Sequence, residues 1–213
     1  MMYKMPNALG LLLFGMLSVA LSGPGYAAES KPARIFKYQM SPPPVPGSDE
    51  DRQDFTALHR YQDHRTPEQC EVAGSQSKFR LSNTFGPETG ILTAAEIKKV
   101  RGLSARVISK VATVTFYFKK KFKRLRPYNA DTSLQPCIKK AHGDTAYPSG
   151  HAATGLALAL AFAKVFPEKR EAILKQGYQI GENRLIGGVH HPSDVKAGQD
   201  LAKQVIQAYP ITL

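Results

Sequence analysis

The run from Ala152 to Phe166 constrains the fold of this chain more than any other stretch. It is mostly alanine and leucine, with hardly a polar break. It is also too short to cross a bilayer, which takes about 20 apolar residues. A helix that is apolar on nearly every side has to be enclosed by other helices. The run therefore predicts the centre of a bundle.

The start of this helix carries a second message. Tyr147-Pro148-Ser149-Gly150-His151 precedes the apolar run. Ser149 can cap the free amides of the first turn, and Gly150 lets the backbone approach a ligand closely. Free N–H groups and the positive end of the helix dipole favour an anion, a phosphate being the obvious guest. His151, in the same turn, can give or take a proton there. Alone, the stretch fits a plain N-cap with a surface histidine equally well.

The rest of the chain supplies the enclosing helices. Thr93-Ala94-Ala95-Glu96 is a capping box. Behind it Ile97, Val100, Leu103, Val107, Val111, Val114 and Phe118 recur at helical spacing, a buried stripe. Pro167-Glu168 opens a helix with Ile173, Gly177, Ile180 and Arg184 on one face, ended by Gly187-Gly188. Pro192 opens a last helix with Val195, Gly198, Leu201, Val205 and Tyr209 facing inward. Upstream, Ser48 starts a helix over 49–63, and Thr66-Pro67-Glu68 starts another through Cys70 and Val72. His59 and His64 read as surface residues. Residues 82–90 and 129–145 read as loops, and Ser41 to Gly47 as a polyproline-like segment, either a linker or an arm lying on the domain. No alternating strand pattern competes, so the expected fold is a compact all-α bundle.

The N-terminus reads as an address. Lys4, the apolar run Leu9 to Leu21 and the small residues up to Ala28 form a secretory signal peptide over residues 1–27. A Pro-rich segment over 28–47 and one all-α domain over 48–213 follow. Cleavage leaves no stable membrane insertion and places the mature chain outside the cytoplasm. In an oxidising compartment Cys70 and Cys137 are expected to pair. The net charge of +12 favours anionic partners.

Three clusters sit at loop–helix junctions. The first is Lys119 with Arg126-Pro127, the second Pro148-Ser149-Gly150-His151, the third Arg184 with His190 and Asp194. One helical turn lets Asp194 hold the His190 ring, leaving a lone pair on the other nitrogen. Such an imidazole is a nucleophile toward phosphorus. His151 can protonate the leaving oxygen. Lys119, Arg126 and Arg184, with Ser149 and the Gly150 amide, can neutralise the phosphoryl oxygens. No acidic cluster suits Mg²⁺ or Zn²⁺, so the expectation is no metal and no other cofactor. Lys120, Lys121, Lys123 and Arg124 are expected to face solvent and steer anions. His142 and Asp144 are candidates for the mouth of the site.

Taken together, Lys119-x6-Arg126-Pro127, Pro148-Ser149-Gly150-His151 and Arg184-x5-His190-x3-Asp194 resemble the three-part signature of the type 2 phosphatidic acid phosphatase superfamily. That superfamily includes bacterial class A non-specific acid phosphatases and vanadate-dependent haloperoxidases. The chain is most similar to the periplasmic acid phosphatases, which share the signal peptide and a proline-rich segment. The resemblance implies an all-α fold of the acid phosphatase and vanadium haloperoxidase type. It implies a phosphohistidine on His190, His151 as the acid that later activates water, and phosphate monoesters and inorganic phosphate as ligands. Asn183 stands where the family usually has Ser, and Ala152 where Thr is common. Phosphatidate or polyprenyl pyrophosphate hydrolysis and halide oxidation with vanadate are the alternative enzyme readings. Specific nucleic-acid binding through the basic run is set aside, because it leaves the two histidines and Asp194 unused. Substrate and homo-oligomer formation are left open.

Overall fold

The computed structural model describes residues 37–139, 143 and 145–209. The signal peptide, residues 28–36 of the Pro-rich segment, His142 and Asp144 lie outside the described residues.

Helix α1 spans Asp49–His64, with Ser48 Oγ accepting from the Asp51 amide at 3.2 Å. Helix α2, Pro67–Ser75, starts on a reciprocal box between Thr66 and Gln69. The expected loop over 82–90 is instead ordered into a short helix α3, Leu81–Thr84, and a 3₁₀ turn, Pro87–Thr89. Its polar residues close local bonds that sequence reading takes for loop chemistry. Asn83 accepts from the Arg80 amide and donates to Ser75 O, and Thr84 Oγ1 donates to Arg80 O.

Helix α4, Ala94–Phe122, begins at the Thr93–Glu96 capping box and buries Val100, Leu103, Val107, Val111, Val114 and Phe118. Lys123, at φ 50°, turns the chain out of it. Helix α5, Pro127–Ala130, runs into the start of the expected loop over 129–145. Helix α6 is Gly150–Val165, a 3₁₀ turn follows at Pro167–Lys169, and α7 is Arg170–Ile186. Helix α8 is Pro192–Ala208. Among the described residues there is no strand, only an isolated bridge between Leu125 and Thr145. No helix among them is long and apolar enough to cross a membrane.

Helix α6 is the axis, buried from Ala152 to Ala163 with few interruptions and packed chiefly on α7, then α8, then α4. Two glycines set how closely its neighbours come. A Cβ on Gly177 would lie 2.4 Å from Ala159 Cβ, and one on Gly198 would lie 2.4 Å from the Ser149 carbonyl oxygen. The bare Gly198 backbone thus lets the first half of α8 rest on the start of α6, where the Ser149 amide donates to Asp194 O at 2.9 Å. This junction holds two of the expected site segments together.

The arm does lie on the domain. Tyr38 is buried, Gln39 exchanges two hydrogen bonds with Gln204, and Tyr147 Oη donates to Ser41 O at 2.9 Å. Tyr209, expected to face inward, stands half-buried just past α8, and Ile206 takes the inward place. His59 and His64 stay at the surface, His59 Nε2 3.0 Å from an Asp131 carboxylate oxygen.

Candidate active site

The loop between α7 and α8 delivers His190 into a cavity of about 640 Å³. Arg126 from the start of α5, His151 from the first turn of α6 and Arg184 from the last turn of α7 line the same cavity. Lys119 and Gly150 border an adjoining groove that shares His151. Ser149 and Asp194 are wholly buried behind these residues. Ser149 caps α6, its Oγ accepting from the Ala152 amide at 3.4 Å.

The His190 ring is fixed from two sides. Arg126 Nη1 stands 2.8 Å from His190 Nε2 and also donates to Val189 O at 2.8 Å. A guanidinium can only donate. Nε2 therefore carries the lone pair, and the proton sits on Nδ1. That Nδ1 lies 3.4 Å from Asp194 Oδ2, an electrostatic contact rather than a completed hydrogen bond. The same oxygen accepts from His191 Nδ1 at 2.9 Å and from the His191 amide at 2.8 Å. So Asp194 holds both neighbours, and His191 more closely. His191 packs edge-on against Phe55, whereas His190 reaches the cavity.

Arg124 corrects the sequence reading. It was expected in solvent, but its side chain is only 9% exposed. It donates to Asp194 Oδ1 and Asp54 Oδ2, both at 2.9 Å, to Asp51 Oδ1 at 3.0 Å and to Ser193 Oγ at 2.6 Å. Asp54 in turn accepts from the Ser193 amide at 3.0 Å. This network joins α1 to the start of α8 and braces the carboxylate behind His190. Lys120, Lys121 and Lys123 remain exposed, as expected.

Burial and cation crowding shape the titration of the site. Burial, then the Arg126 charge, pushes His190 well below the ordinary histidine range, with Asp194 pulling the other way. His151 is lowered to about 4 by burial and then by Arg184, with backbone groups of Ser77 and Gln76 opposing. Lys119 is lowered to about 7 by burial and then by Arg126. It donates to the carbonyls of Thr145 and Ala146 at 2.8 and 3.0 Å. Arg184 falls to about 10 through burial. Burial alone would raise Asp194, but the side chains of His190 and His191 hold it well below the carboxylate range. His151 Nε2 and Arg184 Nε are buried without a partner among the described residues.

One wall escaped sequence reading. Ser77, Lys78 and Arg80, between α2 and α3, face Lys139 and Ile138 across the cavity. Asn183 takes no part in it, accepting from Gln179 and donating to Gln76 Oε1 at 2.9 Å behind that wall. Cys70 and Cys137 are joined, S–S 2.08 Å, and tether α2 to the segment carrying Ile138 and Lys139. The bond closes a loop of 67 residues, for which chain entropy gives about 4 kcal/mol. Reduction, or the double change Cys70→Ser with Cys137→Ser, is expected to lower the urea midpoint accordingly. The main core contains neither cysteine, so native circular dichroism should survive without denaturant.

A family model described as the PAP2 superfamily matches residues 102–209, which carry all three clusters. The chain belongs to the PAP2 superfamily. A non-specific acid phosphatase of Providencia stuartii is 30% identical to this PAP2 chain over 175 residues, covering 78% of the chain and 71% of that protein. Two solved structures share the fold. A transmembrane PAP2-type phosphatidylglycerolphosphate phosphatase of Bacillus subtilis superposes with TM-score 0.55 at 17% identity, over 76% of this chain and 85% of that one. A bacterial vanadium-dependent iodoperoxidase superposes with TM-score 0.60 at 14% identity, over 83% of this chain and 54% of that one. Within the PAP2 superfamily this chain is a phosphoric monoester hydrolase.

Proposed function

We propose that this PAP2 protein is a periplasmic acid phosphatase that hydrolyses small phosphate monoesters through a phosphohistidine on His190, with protein cations in place of a metal. The observation that carries this reading is the lone pair of His190 Nε2, presented to Arg126 at 2.8 Å in a cavity that also holds His151 and Arg184. Nε2 attacks phosphorus, the P–O ester bond breaks, and His151 Nε2 gives its proton to the leaving oxygen. Neutral His151 then takes a proton from water, whose oxygen attacks phosphorus and frees His190 and inorganic phosphate. Arg126 and Arg184 meet the phosphoryl oxygens, whose charge grows in the transition state. A donor set of cations suits an anion and repels a divalent metal. The signal-peptide reading of residues 1–27 supports the location.

The titration directions favour acid. His151 binds its proton as pH falls toward about 4, and Lys119 keeps its charge only below about 7. Burial and then Arg126 lower His190 as well, which favours its neutral, nucleophilic form. Phosphate release from p-nitrophenyl phosphate should therefore be greatest on the acid side and decline as pH rises through 7, with KM climbing as Lys119 loses its proton. Turnover should resist EDTA and be blocked by vanadate. Loss of activity in EDTA, or an optimum above pH 8, would overturn the reading.

A further inference from the structure

Helix α4 carries a second face beside its buried stripe. Ile108, Ala112, Phe116 and Lys119 follow one another at three- and four-residue steps. With Phe79 they wall a groove of about 370 Å³ whose other side is Gly150, His151 and Thr154 of α6. The groove starts beside the phosphate cradle and follows α4 outward from Lys119 to Ile108, roughly 16 Å of helix. Its outer wall is apolar and accessible: Phe116 is 60% exposed, with Lys120 Nζ 4.7 Å from its ring centroid. Phe79 leans on His151, ring centroids 6.2 Å apart.

The inner end is polar. His151 Nε2 has no partner among the described residues, and neither has Thr115 Oγ1, whose residue is 4% exposed and borders the groove. Unused hydrogen-bonding capacity thus sits where groove and cradle meet. His190 borders the cavity but not the groove, while His151 borders both. In an in-line displacement the leaving group departs on the side opposite the nucleophile. The acid that protonates it marks that side.

We infer that this groove is the leaving-group subsite, and that it selects soluble phosphate monoesters of aromatic or short aliphatic alcohols. The inference rests on the phosphatase reading, because it takes His151 as the acid. The phosphoryl group lies among Arg126, Arg184 and His190, and the ester oxygen points at His151. The alcohol's carbon skeleton then runs between Phe79 and the Ile108–Ala112–Phe116 face. Polar alcohols gain nothing from these walls.

Ethyl, hexyl, dodecyl and hexadecyl phosphate release alcohols of nearly equal acidity, so chemistry is matched and only the groove distinguishes them. Each fully buried methylene is worth about fourfold in binding. Wild-type kcat/KM should be at least about tenfold higher for hexyl than for ethyl phosphate and should gain little from dodecyl to hexadecyl, whose chain outruns the groove. Ala112→Glu places a carboxylate on an exposed α4 position of the groove and should bring the hexyl-to-ethyl ratio close to one. A wild-type ratio near one would overturn the groove assignment and leave the phosphatase reading standing. Rates still climbing at hexadecyl phosphate would overturn the choice of soluble esters in favour of a lipid. No phosphate release from any ester would instead be a failure of the phosphatase reading itself.

Discussion

His190→Ala is expected to lose phosphate release by about 10⁴-fold or more, because on the proposed mechanism it removes the atom that bonds to phosphorus. His151→Ala behaves differently. With an alkyl ester it should lose about 10²–10⁴-fold, the worth of a positioned proton donor. With p-nitrophenyl phosphate the loss in the first step should be far smaller, since nitrophenolate leaves without a proton. The second step still needs His151 to activate water. A base quench of His151→Ala with that substrate should therefore trap labelled phosphate on the chain. His190→Ala should trap none. Turnover that survives in His190→Ala, or label that persists without His190, would put the nucleophile elsewhere.

Arg124→Met should cost about 3–5 kcal/mol, the usual penalty for removing one partner of a buried charge network. For a domain of this size that is a fall in melting temperature of about 10 °C. The Asp54 and Asp194 carboxylates would stay buried with their shared cation gone. Arg124→Lys keeps the charge, but its single ammonium nitrogen cannot reach the four acceptors that Arg124 holds with two, so it should fall between. Activity should drop along with stability, as Asp194 would be free to turn from His190. Thermal melts and urea titrations of both variants read the effect. A melting temperature within 2 °C of wild type, about what 0.5–1 kcal/mol gives, would mean that the network is structurally idle.

The bundle was legible because burial leaves a period in the sequence. The apolar run of α6 and the stripe of α4 each announce their faces, and Gly177 and Gly198 stand where helices touch closely. The motif spacings located the cavity residues His151, Arg126, Arg184 and His190. Arg124 was not legible. It sits in a run of six basic residues within eight, and only the left-handed turn at Lys123 takes it off the helical face and points it inward. The acids that receive it, Asp51 and Asp54, lie about 70 residues upstream, where Asp51 looks like an ordinary first-turn acid of α1 and Asp54 like an ordinary acid one turn on. The wall at Ser77, Lys78 and Arg80 was hidden for a related reason. Its residues follow no period, and they reach the cavity because α2 packs on α7 and the Cys70–Cys137 bond holds the far segment opposite. Asp194 was foreseen as the partner of His190, yet one residue's shift in the loop lets His191 take its closer contact.

The crowding of cations in the cradle also bears on how long the folded chain lasts. Arg126 weakens the proton hold of Lys119 and His190, and Arg184 does the same to His151, so these groups oppose one another in the unliganded fold. The carboxylate that acts on Lys119 and His190, Asp194, is already engaged by Arg124 and His191. A bound anion relieves that opposition only in the native state. By mass action, phosphate at a hundred times its dissociation constant adds about 2.7 kcal/mol to stability. On the proposed function, the phosphate released would guard the protein against unfolding and proteolysis, and scarcity of phosphate would shorten the life of the catalyst that releases it.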